Sequence, residues 1–292
     1  VKYHIAHTTV YTYSEPVTLC HNIAHLVPRH HPFQRVARVQ FRVEPRPEVF
    51  TERDDFFGNR ATYFTVQKQH RRLEVHVESE VTVSNAPRPH PAETPGWEYV
   101  RDLLKVDLVP ANLEAFEYCF DSPHVRRSPE LAAYAAPSFP RARPIMAGLL
   151  DLNARIHRDF AYTPNSTDLS TSVADVLRMR RGVCQDFAHL MIGCLRSLGL
   201  PARYVSGYLR TEPPPGQPRL VGADASHAWI AAYIPGMGWY DFDPTNNSIA
   251  GETHIVLAWG RDYSDVSPIR GVLIGGGRQT ITVGVTVAPQ PA

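Results

Sequence analysis

The sequence predicts an α+β protein, with an N-terminal antiparallel β-sandwich followed by a unit in which one buried helix packs on an antiparallel sheet. Three observations predict it. The first 83 residues carry apolar side chains in period-two alternation, and a Pro-rich stretch breaks the chain after them. Further on, apolar residues recur at helical spacing from Cys184 to Leu198 and are followed by three short β-branched and aromatic runs.

In the first unit, Ile5 to Tyr13, Val36 to Val43, Ala61 to Val66 and Leu73 to Val83 read as strands. The turn formers Pro45, Pro47, Gly58 and Asn59 fall between them, so short antiparallel strands are expected over residues 1–83. The segment SNAPRPHPAETP, Ser84 to Pro95, is too rich in proline for regular structure, and residues 84–100 read as a semi-rigid linker. Residues 101–292 form the second unit, which begins with helical patterns at about 109–120, 128–136 and 143–158.

Val173 to Leu177 reads as a short helix, followed by the loop Arg180 to Val183 and then by a helix that Cys184 opens. Phe187, Leu190, Met191, Cys194, Leu195 and Leu198 form its apolar stripe, and Gly199 and Pro201 end it. Ala202 to Leu209, Ala228 to Tyr233 and Gly238 to Phe242 read as strands. The loop Glu212 to Pro218 and the turn Pro235 to Gly238 separate them, and Thr280 to Val287 is a last strand that can return to either sheet.

Composition narrows the function classes. A chain of 292 residues holds two or three units, and 43% hydrophobic with 20% charged residues is ordinary for a folded protein. Lys plus Arg (30) balances Asp plus Glu (29), which argues against a nucleic-acid partner. No apolar run approaches the roughly 18 residues that span a bilayer. The alternating start Val1 to Ile5 reads as a strand rather than a signal peptide, so no membrane partner is expected. Cys20, Cys119, Cys184 and Cys194 lack a repeated spacing, which points to free thiols in the cytoplasm. Neither a cofactor nor a metal is expected, and the oligomeric state stays open. His21 with His25, and the pair His30 and His31, sit in extended or loop sequence with no completing ligand and read as surface histidines.

The chemistry gathers on the second unit. A thiol attacks an amide carbonyl as thiolate, and the unpaired N–H groups at a helix start favour that anion. Cys184 sits at such a start, where its own backbone N–H can serve as an oxyanion donor, and Arg180 and Arg181 can add positive potential. His227 opens a strand among apolar neighbours and suits the general base. Asp243 lies at the end of the next strand, beside His227 across the hairpin turn. Asp241 shares the strand face of Asp243, so spacing alone does not separate the two. His189, five residues after Cys184, is rotated about 140° from it around the helix and does not face the thiol. Asp186 reads as a first-turn carboxylate complementing the helix dipole. Cys194 belongs to the core stripe, Cys20 and Cys119 read as packing residues, and Trp229 and Trp239 read as packing walls.

The segments GVCQDFAHL, SHAWI and GWYDFDPTNN, in this order, resemble the transglutaminase-like superfamily over about residues 145–250. The flanks, including GRDYSDVSPIRGV, resemble its bacterial subgroup labelled cysteine proteases, which has an N-terminal β-domain. The resemblance implies a papain-like catalytic domain with Cys184 as nucleophile, His227 as base and then acid, and Asp243, rather than Asp241, as the orienting carboxylate. An aromatic donor precedes the nucleophile in some members, which makes Tyr162 a candidate second oxyanion donor, and the resemblance brings the tail from Asp262 to Pro268 towards the cleft. The expected activity is acyl transfer from a peptide or side-chain amide through a thioester, with water as acceptor. A protein-glutamine transglutaminase using an amine, or a non-catalytic binding module on the same fold, are the alternatives.

Overall fold

The computed structural model describes residues 1–211 and 225–291; the expected loop Glu212 to Pro218 lies outside the described residues. Five strands come first: β1 (Lys2–Ala24), β2 (Gln34–Glu44), β3 (Val49–Asp54), β4 (Arg60–Val66) and β5 (His70–Val83). Helices α1 (Trp97–Leu103), α2 (Pro110–Phe116), α3 (Pro129–Ala135) and α4 (Ile145–Asp159) follow. Then come β6 (Ala161–Tyr162), α5 (Val173–Met179), β7 (Arg181–Gly182) and α6 (Cys184–Ser197). The chain continues through β8 (Ala202–Leu209), β9 (Ala225–Ile234), β10 (Gly238–Asp243), β11 (Ser248–Ile249) and β12 (His254–Gly260). It ends with α7 (Tyr263–Val266), β13 (Ile269–Gly275) and β14 (Gln279–Pro289).

The first sheet has seven strands and β1 as its spine. β1 pairs with β5 along its first half and with β4 along its second, and β14 and β13 line its other side in the same succession. The register shifts between Thr12 and Val17, where Pro16 cannot donate a ladder hydrogen bond. Opposite this break, Gly275, Gly276 and Gly277 adopt positive φ between β13 and β14. The sheet curls so that Phe41 of β2 meets Phe50 of β3 at 5.6 Å and Phe64 of β4 at 6.3 Å between ring centroids. The two facing layers expected from alternation are therefore parts of one curled antiparallel sheet. Residues 269–289, grouped by sequence with the second unit, hydrogen-bond to β1 instead. Alternation set only the two faces of the last strand; its partner was set by the long-range pairing.

Several elements fall outside the sequence reading, among them β3, α1, β12, α7, β13 and the two-residue strands β6, β7 and β11. β3 has six exposed residues and carries no buried face to betray it. α1 begins at Trp97, inside the stretch expected as linker.

The second sheet has the order β11-β10-β9-β8-β12. α6 lies on one face, and Leu190, Met191, Ile230, Ala232 and Phe242 share a core with α3 and α4. Edge strand β12 is covered by side chains of the first unit. The Gln34 amide donates to the Val256 carbonyl and accepts its N–H, both at 2.8 Å. Asn59 does the same for Trp259, at 2.8 and 2.9 Å. Both amides are fully buried and satisfy groups of this edge, joined at the Val256 carbonyl by the Arg29 N–H at 3.1 Å. Gln34→Leu removes both Gln34 bonds and leaves the Val256 carbonyl only the Arg29 N–H. Its urea midpoint is expected to fall by the equivalent of about 2 kcal/mol or more at unchanged slope.

Candidate active site

Cys184 is the first residue of α6, and the backbone before it explains why the helix starts there. Val183 is extended, with φ −116° and ψ 179°, and its N–H donates to Asp186 Oδ2 at 2.7 Å. Thr167 donates its hydroxyl to the same oxygen at 2.6 Å. Asp186 is thus a buried cap bonded to two donors, a tighter role than complementing the dipole. Gly182 permits it, because a Cβ there would lie 2.7 Å from Asp186 Oδ2. The first helical bond runs from the Phe187 N–H to the Val183 carbonyl, so the Cys184 N–H is among the donors that a helix start leaves unpaired.

The structure brings Cys184, His227 and Asp243 together. His227 donates from Nε2 to Asp243 Oδ2 at 2.8 Å, which leaves Nδ1 for the hydrogen bond it shares with the Cys184 sulfur. Burial disfavours the charged imidazole, but the hydrogen bonds and charges of Asp243 and Cys184 outweigh it and push His227 up to about 10. Asp243 has no exposed surface. Burial raises its pKa, yet hydrogen bonds from His227, His254 and Asn246 win and hold the carboxyl well below its ordinary range. The arrangement favours the protonated, imidazolium form of His227 beside the ionised Asp243.

Sequence reasoning missed the rest of the Asp243 shell. His254 Nε2 donates to Asp243 Oδ2 at 3.2 Å, and Asn246 Nδ2 donates to the same oxygen at 2.7 Å. The backbone N–H groups of Thr245 and Asn246 reach Oδ1 at 2.9 and 3.2 Å. Asn246 could have been read from DPTNN as an Asx-type turn. His254 is 11 residues away in a different strand and carries no local signal. Among the described residues, His227, Asp243 and His254 are the one trio whose ligand atoms lie within 4.8 Å of one another. Five hydrogen-bond donors already converge on this carboxylate, an environment built for an anion rather than for a cation.

Asp241 is separated from the pair by its partner. It accepts the Trp229 Nε1–H at 2.9 Å, and burial raises its carboxyl against the opposing charge of Arg203. Trp229 is fully buried and lies across Gly207, where a Cβ would come within 2.4 Å of the indole. β6 pairs in parallel with β7 and so sets Tyr162 beside Gly182, two residues before the thiol. Tyr162 is half exposed, and its phenol is raised by partial burial and then by the charge of Cys184. Tyr204, which the sequence did not single out, is buried, and burial followed by the charge of Cys184 raises its phenol too.

The other residues weighed from sequence have other partners. Arg180 stacks over Tyr134 at 4.9 Å and Phe160 at 4.8 Å. His189 is buried, stacks on His124 and accepts the Tyr263 N–H at 3.2 Å, and burial holds it neutral. In the tail, Asp262 accepts the His124 N–H at 2.7 Å. His21 pairs with Thr65 at 2.9 Å, and His25 is buried against the Ser267 carbonyl and Asp55. The four cysteines are unpaired and only Cys184 is not buried. No helix among the described residues is long and apolar enough to cross a membrane.

Two family models match the chain: the bacterial transglutaminase-like N-terminal region over residues 3–82 and the transglutaminase-like superfamily over residues 138–244. An uncharacterised protein of Mycobacterium tuberculosis is 40% identical over 297 residues, covering 99% of this chain and 93% of that protein. A protein-glutamine gamma-glutamyltransferase of Pseudomonas aeruginosa is 38% identical over 92 residues, 30% of this chain and 14% of its own length. A crystal structure from Cytophaga hutchinsonii, provisionally named a cysteine protease, superposes with a TM-score of 0.76 at 21% identity, covering 100% of this chain and 92% of that one. At that identity the likeness concerns the fold.

Proposed function

Since the chain belongs to the transglutaminase-like superfamily, we propose that it is a cysteine-dependent acyl-transfer enzyme acting on peptide or protein amides, with water as the acceptor. The observation that carries this reading is the hydrogen-bonded series from the Cys184 thiol through His227 to the buried Asp243. The Cys184 sulfur attacks the amide carbon, and the oxyanion meets the Cys184 N–H, with Tyr162 as the candidate second donor. His227 gives its Nδ1 proton to the departing amine, the C–N bond breaks and a thioester remains. Water then adds as His227 takes its proton, and the C–S bond breaks to release a carboxylate and restore the thiol. Asp243 keeps Nε2 protonated throughout. Four unpaired thiols favour a reducing compartment such as the cytoplasm.

The match to a protein-glutamine gamma-glutamyltransferase keeps one second reading in view, in which an amine resolves the same thioester. Both readings share the first half-reaction.

Iodoacetamide labelling tests it. Burial raises the thiols of Cys119 and Cys194 to about 12 and also raises that of Cys20, so the label reports on Cys184. At about pH 6 the wild type is expected to label at least ~10-fold faster than His227→Ala. Equal rates in the two proteins overturn the proposal.

A further inference from the structure

A cavity of about 960 Å³ lies between the first unit and the second sheet, apart from the thiol: it is lined by Trp229, His254, Arg203, Trp239, Trp259 and His31 but not by Cys184, His227 or Asp243. Its walls include one buried cation with an unpartnered donor, Arg203, which the charge of Asp241 supports without a hydrogen bond. Arg203 is 5% exposed, forms no ion pair among the described residues, and its Nε has no hydrogen-bond partner. The guanidinium carbon sits 3.7 Å from the ring centroid of Trp259 and 4.1 Å from that of Trp239. Arg29 lies 3.5 Å from the Trp259 centroid, so Trp259 is held between two guanidinium groups. Stacking occupies the faces of Arg203 and leaves its in-plane N–H edge as the reactive part, a fork that matches a planar carboxylate.

The neighbouring polar groups leave the same kind of vacancy. His31 Nδ1 accepts the Phe33 N–H at 3.4 Å, so the neutral ring carries its proton on Nε2, and that atom is buried without a partner. The acidic lining residues are engaged or outlying: Asp241 accepts from Trp229, Asp107 accepts from Asn112 at 3.0 Å, and Glu114 is exposed. The uncommitted buried atoms are donors. Around them the wall is mainly aromatic and aliphatic, and Tyr99, Val109 and Met237 are exposed along it.

From this placement we propose that the cavity is a second binding site, for a carboxylate joined to an aromatic or aliphatic body, with the carboxylate on the Arg203 edge and His31 Nε2. A free organic acid and the C-terminal residue of a peptide share this chemistry. The site does not depend on the acyl-transfer reading of Cys184.

Quenching of tryptophan fluorescence by N-acetylphenylalanine, its carboxamide, phenyl phosphate and a hexapeptide ending in phenylalanine tests the proposal. The acid is expected to bind at least ~10-fold more tightly than the amide, the cost of leaving a charge-assisted pair unmade. Arg203→Gln is expected to remove that preference. Ala111→Trp, on the exposed lining of α2, leaves Arg203 in place and is expected to weaken the acid by crowding the opening. Tighter binding of the hexapeptide than of the single acid assigns the site to peptide termini, and the reverse assigns it to small acids. Equal binding of acid and amide, a preference for the tetrahedral phosphate, or acid binding untouched by Ala111→Trp overturns the proposal. If Arg203→Gln loses its native circular dichroism, the acid-to-amide ratio and Ala111→Trp decide. Unchanged iodoacetamide labelling of Cys184 in Ala111→Trp keeps this result separate from the fate of the acyl-transfer reading.

Discussion

Cys184→Ala is expected to reduce turnover of peptide amides by on the order of 10⁴- to 10⁶-fold, to the background of the assay, with little change in folding. The side chain is only partly buried, and its removal leaves the Asp186 cap and the α6 core untouched. The loss is chemical: without the sulfur no thioester forms, and His227 has no acyl-enzyme on which to activate water. Mass analysis of the wild-type products separates the acceptors, since water gives a carboxylate and an added amine gives an adduct. Equal background turnover of wild type and Cys184→Ala across a panel of amides and amines would falsify the acyl-transfer reading and leave a binding module.

The second large effect separates two aspartates that the sequence places on one strand face. Asp243→Asn is expected to lower kcat by on the order of 10³- to 10⁴-fold, because the amide presents N–H groups to His227 and His254 and no longer fixes the tautomer. Asp241→Asn keeps an acceptor for Trp229 and is expected to cost less than ~10-fold in turnover. Comparable losses in both variants would remove Asp243 from its special place.

Stability should follow pH in the same way. The pKa of His227 is raised in the fold to about 10, so its contribution is complete below the ordinary histidine value near 6.5 and is lost as pH rises through about 10. Asp243 is lowered, so its contribution is present above the ordinary aspartate value near 3.8 and is lost as pH falls below it. Urea midpoints of the wild type should decline on both sides, and Asp243→Asn should flatten the profile between about pH 7 and 10.

The nearness of Cys184, His227 and the aspartates of β10 was legible in sequence because each is tied to a local pattern, while the choice of Asp243 over Asp241 came from the family resemblance. A helix start follows from the spacing of Phe187, Leu190, Met191 and Leu195, and a hairpin turn at Pro235 to Gly238 sets β9 beside β10. Cys194 and His189 were placed by the same 3.6-residue period, and both are buried away from the reaction. These inferences needed only nearby residues and repeating geometry.

The long-range contacts had no such signal. Asp241 and Asp243 differ because Trp229 Nε1 reaches one and His227 Nε2 the other, a matter of side-chain reach across β9. His254 arrives from β12, and the Arg203 ladder joins residues of β8, β10 and β12 with Arg29 of the first unit. The sequence by itself determined where the alternating strands it identified lie, where α6 begins and that a helix-start cysteine stands near a hairpin carrying a histidine and two aspartates. Only the tertiary structure decided that both ends of the chain complete one curled sheet, which donors hold Asp243 charged, and that a buried arginine faces a cavity. Backbone periodicity is written in neighbouring residues, whereas sheet partnership and charge compensation depend on groups brought together only when the chain has closed on itself.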